Sequence, residues 1–587
     1  TNGRNVTLDG TGAVNIVGDY TVNAVNVTQT TAVTTSTGSI FMNPTGDYAG
    51  AGALTATSGT VRISGGAAVA PTGAIRALGT VTLSGTGAIT NSGATLTSLT
   101  SSVDVTSRSS TVNISAAISA ATTVALTASS TVTTSATVAA GTGQVTITSQ
   151  AADLSIGGAT SGTSVEMLPK TGYAGAGALT ASSGTVRITG GTSIAPGGAI
   201  RATGDITLSG SAALTNTGAS LTSTAGSIAL TSTASTVTIS AALSAPVNVS
   251  LTAHTELSTT AAVTATAGTV TATSTTTSVS LGAATSGRFV EVTPKTAYSG
   301  AGALTASAGT VRITGGSTIS PTGAIQATSN VVLRGTGNIT TDTSATLTST
   351  SGVVEVVSSA GSIDLRVDAV SSISASSVVG ILLRAADRID LGTSADLTTS
   401  GTDIVLWSDS DNNGVGSIEL SGTNILMSNG GDISIGGGLD DGGATNTEFV
   451  NRTSGDGHPD NYAAGINGFS NSSGVQFFNS FQILSGGGDV FIAGRGSAVS
   501  GDDDWGVLMR GGLVYTGSGK ISIYGRSPAS CAASSHRGIA SGWLAQTSLV
   551  SESQATDAVY LYGNTASCNN GGTVYASAVE SHNQWTN

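Results

Sequence analysis

Val103-Asp104-Val105, Val124-Ala125-Leu126 and Val145-Thr146-Ile147 are three copies of one short pattern, spaced 21 residues apart. In each copy the outer residues are aliphatic, while the middle one changes from Asp to Ala to Thr. Successive side chains of a strand point to opposite faces, so the outer pair faces a core and the middle residue faces out. The pattern runs back to Val81 and Val61 and on to Val165 and Val186, with gaps of 20, 22, 21, 21, 20 and 21 residues. From Val186 the same series of gaps returns through Ile206, Ile228, Val249, Val270, Val290 and Val311, and only Val270 closes on a smaller residue, Ala272. A coil of about 21 residues is thus nested in a super-repeat of 125 residues. A period of this length marks a solenoid, in which each unit buries its apolar face against its neighbours.

The coils read as strands. The apolar period is 2, and Val, Ile and Thr favour a pleated surface. Glycine, 81 of 587 residues, is spread through every coil and would interrupt any helix. A second apolar strand precedes the first in each coil, as in Ala53-Leu54-Thr55-Ala56 and Ala74-Ile75-Arg76-Ala77. Clusters such as Thr57-Ser58-Gly59-Thr60 turn the chain between them. The expected fold is an all-β parallel β-helix, or β-solenoid, whose strands stack on their counterparts ~4.8 Å away. Small inward residues predict a narrow core without a ligand cavity.

The super-repeat carries more than core positions. Tyr48, Tyr173 and Tyr298 are 125 residues apart, as are Arg62, Arg187 and Arg312, and Pro71, Pro196 and Pro321. Duplication of a six-coil block accounts for this spacing. A periodic row of lateral contacts built from these Tyr and Arg residues is the functional alternative. The prolines are expected at corners or loop entries, because proline removes a ladder donor.

Composition divides the chain. Residues 1–297 hold nine acidic and nine basic residues, whereas 298–587 hold 24 and 11, which places the whole net charge of −13 in the second part. Aromatic residues divide 5 to 17 in the same direction. The fixed gaps fail near Val354, so we read 1–353 as a regular stalk and 354–587 as a divergent, acidic, aromatic-rich continuation. Only 9% of residues are charged, against about a quarter in ordinary domains, and Ser and Thr take over the polar surface. No run of 18 apolar residues exists to span a membrane, and an acidic chain without a basic stripe argues against nucleic acid. Thr1-Asn-Gly-Arg4 has no leader pattern, and strand-like sequence begins at Val6, which reads as the interior of a longer chain or as a rod without an N-terminal cap.

Candidate chemistry is sparse. Asp409-Ser410-Asp411-Asn412-Asn413-Gly414 resembles the opening of a calcium loop, with Asp409, Asp411 and Asn413 as candidate ligands. The twelfth position is Leu420 where an EF-hand needs Glu, so the alternatives are a looser calcium corner and a plain Asx turn. Cys531 and Cys568 are a candidate disulfide of an extracellular rod, with two buried thiols as the plainer alternative. Catalysis on such a scaffold needs two or three carboxylates close together on one face. Acids in 400–505 fall in Gly/Asn turns, and the four histidines are scattered, so no enzyme is expected. Outward Thr82, Thr146, Thr207 and Thr271 suggest an ice-binding ladder, but Arg62, Asp104, Ala125 and Glu166 interrupt it.

With its Ser/Thr/Gly-rich coils, and with the segments Gly401-Thr-Asp-Ile-Val-Leu-Trp407 and Gly430-Gly-Asp-Ile-Ser-Ile435, the chain resembles the filamentous-haemagglutinin-like exoproteins of bacteria. The resemblance implies a right-handed β-helix, secretion and an adhesive or surface-fibre role at the cell exterior. That family's Asn-Pro-Asn-Gly secretion motif has only a partial counterpart in Asn43-Pro44-Thr45-Gly46, which lies inside a coil. Strand-like sequence near both ends predicts end-to-end self-association into a filament. The alternatives are a monomeric adhesin for a glycan or cell surface and, further off, an ice-binding or polysaccharide-degrading β-helix.

Overall fold

The computed structural model describes residues 4–366, 369–372, 377–392, 394–442, 453–465, 473–497, 505–527, 537–541, 547–555 and 557–564. Among these residues every regular element is a strand, and the strands stack in parallel as a β-solenoid. Two compact units divide the chain, Thr1–Thr275 and Thr276–Asn587.

In the first unit each coil contributes three strands rather than the two legible in sequence. Val124–Ala128, Val132–Thr134 and Val138–Ala140 stack on Gln144–Ser149, Leu154–Ile156 and Thr160–Gly162, pairing Val124 with Val145, Val132 with Leu154 and Val138 with Thr160. The missed strands are two to four residues long, too short to display a period. Along the face with the longest strands, Val61, Val81, Val103, Val124, Val145, Val165 and Val186 form one column, each pairing with the next, and all are buried. Burying such a side chain contributes about 1.5–3 kcal/mol, so the stack offsets much of the entropy of ordering short strands. The neighbouring outward column reads Arg62, Thr82, Asp104, Ala125, Thr146, Glu166 and Arg187.

Polar side chains knit the corners. Asp47 Oδ1 accepts the Ala68 N–H at 3.0 Å, and Asp205 and Asn248 do the same for Ser227 and Thr269 one coil on. Asn91 is fully buried, donating to the carbonyls of Ala94 and Ala116 and accepting from the Ser115 N–H. Asn216, 125 residues later, repeats these bonds with Ala219, Ala241 and Ser240. The super-repeat therefore preserves corner chemistry as well as core. Gly65-Gly66 recurs as Gly190-Gly191, and all four residues have φ between 76° and 99°, a left-handed conformation that other residues adopt only with strain. Pro71 and Pro196 each end a strand.

In the second unit the same faces persist while the loops lengthen. On the long-strand face Val331 pairs with Val354, Val354 with Ile381, Ile381 with Ile404, Ile404 with Ile433, Ile433 with Val490 and Val490 with Ile521. Ile418–Ser421 reads like these strands but belongs to another face, between Ile389–Leu391 and Val475–Leu484. The widest separation, Ile433 to Val490, accommodates an excursion that packs back on the solenoid. No helix among the described residues is long and apolar enough to cross a membrane.

Candidate functional site

The excursion is built around buried polar contacts. Past Ile433–Gly437 the chain leaves the sheet at Gly438, whose carbonyl accepts the Trp407 indole N–H at 2.8 Å. It returns through Asn461, which bridges Gly437 in antiparallel fashion, and through Ala463–Ala464, which pairs with Gly494 and Arg495. Tyr462 packs with Phe491, Ala493 and Tyr524. The Arg384 guanidinium lies over the indole, 4.4 Å from the Trp407 ring centroid.

At its centre, His458 joins two strands. Its Nδ1 lies 2.7 Å from Ser434 Oγ and its Nε2 lies 3.1 Å from Asp403 Oδ2. An imidazole protonated on Nε2 satisfies both contacts, accepting from the serine and donating to the carboxylate. Hydroxyl, imidazole and carboxylate in this order are the parts of a nucleophile, base and orienter. However, Ser434 is only 1% exposed, so no substrate reaches its oxygen in this arrangement, and the three side chains act as a clamp. The Asp403 Oδ1 accepts the Asp432 N–H at 2.7 Å, Asp432 Oδ1 accepts that of Asp489 at 2.7 Å, and Asp489 Oδ1 that of Lys520 at 2.8 Å. Burial pushes the Asp432 carboxyl up, against the lowering effect of the Asp489 amide.

Asp440, Asp456 and Asp460 place one oxygen each within 4.8 Å of one another. These oxygens also tie the loop: Asp440 accepts the N–H groups of Gly455 and Gly457, Asp456 that of His458 and Asp460 that of Gly442. Sequence reasoning missed this group because its members are separated by most of the excursion; the Gly- and Asp-rich stretches around 440 and 456 are the only signal.

A second polar group lies on an adjacent face. Asp364, Asp390 and Glu419 occupy successive rungs of one column, two of them before the 400–505 stretch whose acids are expected in turns. Arg388 contacts Asp390 at 2.9 Å and Glu419 at 2.5 Å, and Arg366 contacts Asp364 at 3.2 Å. Burial raises the carboxyl groups of Asp390 and Glu419 and Arg388 partly counters it. Beside the column, Thr343, Arg366, Asp390, Gly392, Ser394 and Ser421 line a depression of about 110 Å³.

The candidate calcium residues form a tight turn. Asp409 and Asn412 have φ of 48° and 56°. The Asp409 Oδ1 accepts the Gly414 N–H at 3.0 Å, Asp411 Oδ2 accepts the Asn413 side-chain N–H at 2.8 Å, and Asn413 Oδ1 accepts the Val415 N–H at 2.8 Å. Of these, the Asn413–Val415 bond is that of an Asx turn. Burial, reinforced by nearby Asp411, pushes the Asp409 carboxyl up to about 6.

The proposed contact row is corrected in part. Tyr48, Tyr173 and Tyr298 are each 1% exposed, so they are core residues and present nothing laterally. Each ring lies inward with its strand's alternation, and glycine two positions on leaves it room in two of the three: a Cβ at Gly50 would stand 2.2 Å from the Tyr48 hydroxyl and one at Gly300 2.8 Å from that of Tyr298, whereas one at Gly175 would meet the Ile156 backbone. Arg62, Arg187 and Arg312 do face solvent, with Arg187 3.6 Å from Glu166. Cys531 and Cys568 lie outside the described residues. Comparison with family models, curated proteins and solved structures found no match.

Proposed function

We propose that this chain is a non-catalytic structural β-solenoid of the cell exterior that assembles into a surface fibre. The observation that supports this reading is the contrast between two adjacent columns of the first unit. The inward column from Val61 to Val186 is uniformly valine, whereas the outward column passes from Arg62 through Thr82, Asp104 and Ala125 to Glu166. The repeated chemistry serves stacking, and a recognition surface for ice or for a regular polymer requires an outward column of one kind. Low charge and a Ser/Thr surface suit an exterior location. Electron microscopy of the purified protein tests the reading: filaments longer than one chain support it, and a monodisperse particle at high concentration overturns it.

The second unit favours an adhesive variant, because its depression is bordered by Arg366 and Asp390, a pairing suited to hydroxyl-rich ligands. Glycan binding by a monomer, lost in Arg366→Ala, supports that variant over the fibre.

A further inference from the structure

In the first super-repeat the buried Tyr48 hydroxyl donates to Gln29 Oε1 at 2.6 Å. The same carboxamide donates from Nε2 to two corner carbonyls, those of Thr31 at 2.6 Å and Gly52 at 3.1 Å. One planar group thus accepts once and donates twice, and three buried polar atoms are satisfied.

The close approach of glycine to carbonyl at this corner returns in the next two super-repeats, with different side chains around it. A Cβ at Gly52 would stand 2.2 Å from the Thr31 carbonyl oxygen, one at Gly177 would stand 2.1 Å from that of Gly158, and one at Gly302 would stand 2.0 Å from that of Ala283. The Gln29 place, two residues before the corner carbonyl, is taken by Ile156 and then by Leu281, both fully buried. Neither side chain reaches as far as a carboxamide, and neither carries a polar atom. The hydroxyls of Tyr173 and Tyr298 are buried without a hydrogen-bond partner. Gly158 and Gly177 are buried, and among the described residues neither carbonyl oxygen accepts a hydrogen bond.

We infer that an internal water molecule takes the role of the Gln29 carboxamide beside Tyr173, and again beside Tyr298. Water matches the groups one for one: it accepts from the phenol and donates its two protons to the carbonyls of Gly158 and Gly177. In the later copy the carbonyls are those of Ala283 and Gly302. Buried waters typically make about three hydrogen bonds to groups of this kind. A cation fits less well, since the phenol keeps its proton, with burial holding its ionisation above the ordinary range. The super-repeats are therefore not equivalent inside: the first is closed by protein and the next two by solvent.

A crystal structure at a resolution that places core waters tests this directly. The expected result is one peak about 2.8 Å from Tyr173 Oη and from the carbonyl oxygens of Gly158 and Gly177, a second at Tyr298, and none beside Tyr48. Absence of these peaks, a phenol turned onto a protein acceptor, or contacts near 2.3 Å typical of a metal ion overturn it. Hydrogen exchange on Tyr173→Phe gives an independent sign. Loss of a water ligand speeds exchange around 156–160 by roughly tenfold, the equivalent of one hydrogen bond. Unchanged or slower exchange, as expected when an orphaned hydroxyl is removed, overturns the inference.

Discussion

His458 Nε2 lies 3.1 Å from Asp403 Oδ2, and this contact joins residues 55 positions apart. With the Ser434 contact it is a buried polar link, beside that of Trp407 to Gly438, that fastens the excursion to two rungs of the solenoid. His458→Ala leaves the buried Asp403 Oδ2 without its donor, while Oδ1 keeps the Asp432 N–H, a loss of about 2–3 kcal/mol. The expected outcome is protease cleavage within 438–465 while the stalk coils stay resistant. Equal resistance of variant and wild type shows that Tyr462 and its aromatic neighbours hold the excursion unaided.

The turn at Asp409 predicts a pH dependence of definite sign. Its carboxyl titrates at about 6 in the fold, against 3.8 in the ordinary range. Between these values the folded turn holds the proton more tightly, so its stability is full below about pH 4 and falls as the pH rises through 6. Amide exchange across 409–416 is therefore slower at pH 5 than at pH 7.5, after correction for intrinsic rates, and Asp409→Asn removes the difference. Bound calcium reverses the sign, because it requires the ionised carboxylate. Protection at pH 7.5 that is lost on chelation thus identifies a calcium corner.

The coil phase predicts opposite effects for two similar substitutions. Val124 is buried between Val103 and Val145, and Val124→Asp places a charge in a stack without water, costing at least ~3 kcal/mol locally. Thr82 lies outward between Arg62 and Asp104, and Thr82→Asp changes stability by less than about 0.5 kcal/mol. Limited proteolysis of the two variants distinguishes them, and equal sensitivity contradicts the phase.

The phase was legible in the sequence because Val-x-Ile repeats under a strict period, which determines what is inside. The tyrosines were not, since a spacing of 125 residues says that a position recurs but not which way it faces. A local signal was present in the recurring Tyr48-Ala49-Gly50, Tyr173-Ala174-Gly175 and Tyr298-Ser299-Gly300, whose glycines at 50 and 300 lie against the tyrosine hydroxyl. The clamp was invisible for another reason. Ser434, His458 and Asp403 meet only because the excursion folds back, and no period places His458 on any rung. The carboxylate column Asp364, Asp390 and Glu419 was hidden by unequal loop lengths, which break the arithmetic that aligned the stalk.

The tyrosine–glycine relationship yields the last prediction. A Cβ at Gly50 would meet the Tyr48 hydroxyl at 2.2 Å and its ring carbons at 2.7 and 2.9 Å, with all three nearest atoms belonging to that side chain. Gly50→Ala therefore displaces the ring, breaks its bond to Gln29 and costs about 2–3 kcal/mol. Tyr48→Leu alone also costs stability, through lost packing and through the unpaired Gln29 oxygen. In the double variant the collision is gone, so the two losses do not add, and the coupling is at least ~1 kcal/mol. Denaturant unfolding of the four proteins measures the cycle. Additive losses show that the glycine is required by the strand Tyr48–Gly50 itself rather than by the ring above it.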